Sequence, residues 1–160
     1  MNSRLIKIFF SGSVALFMCL VCFNNLTEYD SQFQLVQVIA RMEDTFSGMK
    51  SWRSISSSFV LHIFFILIVV WETMTAVLML LGTFKMINKF KDTAPAFKSA
   101  KKYTALGLSF GVLLWFTVFI AIAGEWFLMW QSKNWNAQDT AFFLTACFLL
   151  FLIHHNQEDV

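Results

Sequence analysis

The side chains best placed to do chemistry are ionisable groups set in otherwise apolar surroundings. Glu72 lies in Val69-Val70-Trp71-Glu72-Thr73-Met74, His62 in Val60-Leu61-His62-Ile63-Phe64, and Glu125 in Ala123-Gly124-Glu125-Trp126. A carboxyl group in hydrocarbon either titrates in function or locks neighbouring helices by a hydrogen bond. Cys19 and Cys22 have C-x-x-C spacing, but they sit inside an apolar run and not at a helix start, where a thiolate would be stabilised. They read as packing residues. Cys147 stands alone, and no His and carboxylate cluster joins these sulfurs, so the sequence offers no zinc site. His154 and His155 are adjacent and project in different directions, far from His62, so no haem ligand pair is expected. The sequence contains no phosphate loop, nucleophile elbow or metal-binding helix motif. No catalytic residue, metal or cofactor is assigned.

These groups need elements to hold them, and composition says which. Apolar residues make up 58% of the 160 and charged residues 14%, well below the roughly 25% charged content of a soluble domain. A net charge of +2 without a basic stripe argues against nucleic acid. Crossing about 30 Å of hydrocarbon takes about 20 helical residues. Leu5–Phe23, Phe59–Leu81 and Thr104–Ala123 meet that length, and Ala141–Ile153 adds 13 residues without a charge. The last crosses if Asp139, Thr140 and His154 lie at the interfaces, helped by local thinning. The first resembles a signal peptide in its Arg4 and Lys7, but it ends in Val21-Cys22-Phe23-Asn24-Asn25 without an A-x-A cleavage site, and it is read as a retained helix. The expected fold is an all-α membrane protein. It is a four-transmembrane-helix bundle in a single domain, residues 1–160, with spans at about 5–23, 59–81, 104–123 and 139–155.

Charge orients it. With the amino terminus inside, cytoplasmic segments carry eight Lys and Arg (Arg4, Lys7, Lys85, Lys89, Lys91, Lys98, Lys101, Lys102), and outer segments carry four (Arg41, Lys50, Arg53, Lys133). This bias predicts N-in/C-in topology, with a basic cytoplasmic loop at 82–103. Tyr29, Trp52, Trp126, Trp130 and Trp135 then gather at the outer interface, which favours amphipathic rings. In the outer loop, 24–58, Phe33, Val36, Ile39, Ala40 and Met42 approximate helical spacing. They predict a short amphipathic helix between Ser31 and Glu43, lying on the membrane surface.

Several runs resemble a bacterial family of predicted small integral membrane proteins, domain of unknown function 2165. They are Asn24-Asn25-Leu26-Thr27-Glu28-Tyr29-Asp30, Met42-Glu43-Asp44-Thr45-Phe46, Trp52-Arg53-Ser54-Ile55, Ala100-Lys101-Lys102, Gly107-Leu108-Ser109-Phe110-Gly111, Gly124-Glu125-Trp126-Phe127-Leu128-Met129-Trp130-Gln131-Ser132 and Trp135-Asn136. The resemblance covers nearly the whole chain. It implies a multi-pass protein of the bacterial inner membrane with four helices, and it supplies no activity.

Depth arithmetic gives the site expectations. Glu72 falls about 20 Å from the outer boundary if the span starts at Phe59. Counting from the inner ends of the first and third spans brings Ser11, Ser13 and Ser109 to that depth, so a neutral Glu72 should donate to a serine or a carbonyl. At the outer face Glu125 should be paired, with His62 as the expected donor and Arg53 nearby, beneath a belt of Trp126, Trp130 and Trp135. Gly107 and Gly111 form a G-x-x-x-G step that admits a close helix, in the same bundle or in another subunit. Three functions are compatible with these features. One is a non-enzymatic accessory or structural subunit, with the lipid bilayer and a larger membrane complex or itself as partner. Another is a small oligomeric carrier or proton- or cation-coupled channel using Glu72. The third is a membrane enzyme with an outer-surface site.

Overall fold

A computed structural model describes residues 3–46 and 51–158. The elements are α1 (Ser3–Thr27), α2 (Tyr29–Ala40), α3 (Ser58–Asn88), α4 (Ala94–Ala100), α5 (Lys102–Leu113) and α6 (Gln138–Asn156). Beyond Leu113, α5 winds on as a π-helix over Leu114–Trp126 and ends in a 3₁₀ turn at Met129–Gln131. Four helical segments are long and apolar enough to cross a membrane: Ser3–Thr27, Ser58–Asn88, Ala94–Trp126 and Gln138–Asn156. The fourth is 19 residues long because its helix takes in polar ends on both sides of the apolar run. Asn136 Oδ1 accepts from Gln138 N–H at 3.0 Å and satisfies one donor of its first turn.

Consecutive spans run antiparallel, in the order α1, α3, α5, α6 across the bundle. Their register is set by close approaches. A Cβ on Gly82 would lie 2.4 Å from Thr104 N, and one on Gly111 would lie 2.0 Å from the Phe148 ring. Glycine is required at both places because the neighbouring helix occupies the side-chain volume. The central core joins Val14, Met18, Met79, Leu108, Trp115 and Phe148, drawn from all four spans. In the π-helical stretch the inward positions Trp115 and Ile120 are five residues apart, as the wider winding requires, and Phe127 N–H closes it by bonding Ile122 O at 3.0 Å.

The two ends of the bundle differ. At one end the chain termini meet, since Lys7 Nζ donates to Gln157 O at 2.6 Å. At the other, the loop end, the chain bends at Glu28 (φ −110°, ψ 40°) and α2 follows α1 directly, with Glu28 N–H on Asn24 O and Gln32 N–H on Glu28 O. The helix read from sequence at Ser31–Glu43 therefore starts earlier, at Tyr29, and ends at Ala40. Its apolar positions Phe33, Ile39 and Ala40, with Met42, are buried against Leu61, Phe65, Phe127 and Met129. A protein core meets these side chains where the sequence suggested a lipid surface.

Candidate functional site

Glu72 is 2% exposed on the face of α3 turned to α1. Its Oε2 accepts a hydrogen bond from Asn25 Nδ2. Asn25, itself buried, belongs to the last turns of α1. The neighbouring Cys22 is joined to the same helix, as Thr73 Oγ1 donates to its Sγ at 3.8 Å.

The serine pocket expected around Glu72 does not form. Ser13 is exposed and donates to Phe9 O at 3.0 Å, and Ser109 donates to Ala105 O at 2.9 Å. Ser11 is buried at the termini end, in a cavity of about 10 Å³ shared with Lys7, His154 and His155. The cause is the unequal length of the helices. α3 has 31 residues and runs past Leu81 to Asn88, so Gly12 comes level with Thr83. Thr83 is eleven residues along α3 from Glu72, a separation of about 16 Å. The termini-side ends of the spans therefore do not coincide.

At the loop end His62 and Glu125 each have another partner. Tyr29 Oη and His62 Nδ1 are 2.8 Å apart, and the imidazole stacks on Phe33 with centroids 3.9 Å apart. Gln138 Nε2 donates to Glu125 Oε1 at 3.5 Å. Among the described residues no hydrogen bond links His62 to Glu125. Arg53 lies near the latter through its backbone, donating to Glu125 O at 3.5 Å, and its guanidinium sits 5.9 Å from the Trp126 ring centroid.

The aromatic residues are held by a clasp between two loops. Ser132 Oγ donates to Asp44 Oδ2 at 2.7 Å, and Lys133 N–H reaches the same oxygen at 3.2 Å. Ser132 Oγ in turn accepts from Trp135 N–H at 2.9 Å, and Phe46 N–H donates to Gln131 Oε1 at 3.0 Å. The Ser132 hydroxyl, with the amides of Lys133 and Asn134, holds the Asp44 carboxyl below its ordinary value. Trp52 meets Trp126 edge-on at 5.6 Å and Phe46 meets Trp130 at 6.2 Å. Trp52 and Phe46 are each 82% exposed, Trp126 and Trp130 about half, whereas Trp135 packs into the loop-end core. Met42 and Leu128, flanking the clasp, adopt φ of 58° and 57°. Such left-handed non-glycine residues cost about 1–2 kcal/mol each, offset here by burial of Met42, Phe127 and Met129.

At the termini end Lys7 and Lys101 are both buried, and both ammonium groups donate to Gln157 O, at 2.6 Å and 3.1 Å. His155 Nε2 lies 3.2 Å from Lys101 O. Gly107 packs towards Met79 on α3, whereas Gly111 packs towards Phe148 on α6, so the G-x-x-x-G step serves two neighbours within the bundle. The three cysteines are free thiols. Among the described residues no three His, Cys, Asp or Glu side chains come together as a metal site.

Sequence reasoning missed Asn25, Tyr29, the Asp44–Ser132 clasp and the buried lysines. Asn25 was legible in one respect, as an amide within a turn or two of the first apolar run and so a potential partner for a buried acid. No curated protein and no solved structure matches the chain. A family model described as "Predicted small integral membrane protein (DUF2165)" matches residues 3–158, and the chain belongs to that family.

Proposed function

We propose that the protein is a non-enzymatic accessory or structural subunit of the bacterial inner membrane, with both termini cytoplasmic, that binds a larger membrane partner at its outer surface. The observation that carries this reading is the clasped aromatic crown. Anchoring at an interface needs only amphipathic rings on any nearby backbone. Here two loops distant in sequence are tied by Asp44, Ser132, Gln131 and the Phe46 amide, and beside that tie Phe46, Trp52, Trp126 and Trp130 stand exposed, Trp52 against Trp126 and Phe46 against Trp130. Exposed aromatic side chains are frequent anchors of a protein interface. Internal volume also fits this reading: the cavity at the termini end holds about 10 Å³, room for about one water. The groove beside the crown, lined by Arg41, Ser54, Ile55 and Ser56, holds about 200 Å³, less than the roughly 300 Å³ at which small-molecule sites begin.

Extraction of the tagged protein from native membranes in mild detergent tests this reading. A stoichiometric partner is expected, and the Trp52→Ala/Trp126→Ala double variant should lose it while retaining the fold. Recovery of the same partner with the double variant would refute a role for the crown.

A second reading is favoured by one observation, the burial of Glu72 within a span. A carrier or channel using this carboxyl would lose function, but not folding, on Glu72→Gln. An enzyme would need acid, base and nucleophile to converge. His62 and Glu125, the pair with which an outer site would begin, are each engaged elsewhere.

A further inference from the structure

The junction of α1 and α2 carries polar side chains to a depth where the rest of the bundle shows lipid-facing residues. On α3 the exposed apolar positions Phe59, Ile66, Val70, Val77 and Leu81 run the length of the span. Hydrocarbon takes about 20 of these residues, and wherever that window falls between Phe59 and Lys85, Glu72 lies at least about 9 Å from either boundary. The bond from Asn25 fixes the last turns of α1 at the same depth. From there Asn24, Thr27, Glu28, Ser31 and Gln34 are all exposed. They recur at spacings of three and four residues on either side of the bend at Glu28, which joins the two helices through Glu28 N–H on Asn24 O and Gln32 N–H on Glu28 O. Thr27 is satisfied by Phe23 O at 2.9 Å. Among the described residues the side chains of Asn24, Glu28, Ser31 and Gln34 have no hydrogen-bond partner.

For every such window Asn24 and Glu28 stay within the hydrocarbon, and lipid tails cannot satisfy an amide or a carboxylate. The charge is also one-sided. Glu28 and Asp30 belong to a stretch from Ile8 to Ala40 with no Lys, Arg or His. The nearest base on the packed neighbour, His62 of α3, is held by Tyr29 and Phe33. A second copy packed stripe to stripe would set acid against acid. Resting on the accessory-subunit reading, we propose that this stripe seats a transmembrane helix of a different protein that carries a Lys or Arg in its outer-leaflet half. Hydrogen bonds to Asn24, Ser31 and Gln34 and an ion pair to Glu28 would hold it.

The test uses the full chain in native membranes, with a photo-cross-linking amino acid at Asn24, Glu28 or Ser31 and, as controls, at Ile66 or Val70 on the lipid face. The stripe positions should give a discrete adduct whose cross-linked peptide, by mass spectrometry, is a transmembrane segment bearing Lys or Arg. The controls should not. With the probe at Ser31, Glu28→Gln should lower adduct yield about tenfold, and Glu28→Lys should abolish it. Adducts between two copies of this chain, adducts to lipid alone, or an unchanged yield in Glu28→Gln would overturn the assignment. If a partner still co-purifies through the crown while the stripe cross-links only lipid, the stripe assignment fails and the accessory reading stands. If no partner co-purifies and the stripe cross-links only lipid, both fail.

Discussion

Asn25 and Glu72 share a buried hydrogen bond that ties the end of α1 to the middle of α3. Neither side chain could stand there alone. An amide or carboxyl group buried without a partner bears its full desolvation cost, about 1–3 kcal/mol or more for a charged group.

This pair makes a double-mutant prediction. Asn25→Leu should destabilise the bundle by about 1–3 kcal/mol, lowering the melting temperature in detergent by roughly 2–4 °C per kcal/mol at this chain length. Glu72→Gln, which can still accept from Asn25, should change stability by less than about 1 kcal/mol. Combining Asn25→Leu with Glu72→Leu should restore much of the loss, because no polar group is then stranded. Additive losses in the double variant would show that the two side chains do not interact.

Helix seams predict an order among glycine substitutions. Gly82→Ala would place its Cβ 2.4 Å from Thr104 backbone nitrogen and Gly111→Ala 2.0 Å from the Phe148 ring, whereas Gly12→Ala meets only Thr83 Cγ2 at 3.7 Å. The first two should each cost about 1–3 kcal/mol or more through overpacking. Gly12→Ala should be neutral or stabilising by up to about 1 kcal/mol. Thermal unfolding of the purified variants measures the order, and a Gly12 variant as unstable as Gly82→Ala would refute the packing described for these seams.

The spans were legible because apolar length is a property of each segment alone, and Glu72 stood out for the same reason. Register between segments is not encoded that way. It depends on where Gly82 lets Thr104 in and where Gly111 admits Phe148, so Ser11 and Ser13 were brought to Glu72 on paper while α3 overshoots them in space. His62 was matched to Glu125 by depth, but α2 follows α1 along α3 and delivers Tyr29 and Phe33 to the imidazole first. The loop-end aromatic residues were visible as a group. The Asp44–Ser132 clasp that orders them joins loops 88 residues apart and leaves no local pattern.

The clasp has a pH signature. Hydrogen bonds hold the folded Asp44 carboxyl below its ordinary value of 3.8, so its stabilising effect is fully present above that value and is lost as pH falls through the lower folded one. Hydrogen exchange at residues 41–46 should therefore stay protected from pH 8 to about pH 5 and rise only below about pH 4. Asp44→Asn and Ser132→Ala should raise exchange there even at neutral pH. Protection that is already lost between pH 7 and 5 would point to a different group.

Reporter fusions check orientation. Fusions after Lys91 and after Val160 should report cytoplasm, and fusions near Lys50 and near Lys133 should report the outside, as the eight-to-four distribution of Lys and Arg requires. An outside signal at Val160 would remove the fourth crossing.

The most direct test of the central claim, that this bundle works by holding a partner, is native mass spectrometry of the protein released from its own membrane in mild detergent. The expected result is a complex containing this 18.5 kDa chain and a second, different membrane protein in fixed ratio. The complex should persist in Glu72→Gln and be lost in Trp52→Ala/Trp126→Ala. Masses that are only integer multiples of 18.5 kDa, together with loss of cellular function in a well-folded Glu72→Gln variant, would contradict the claim.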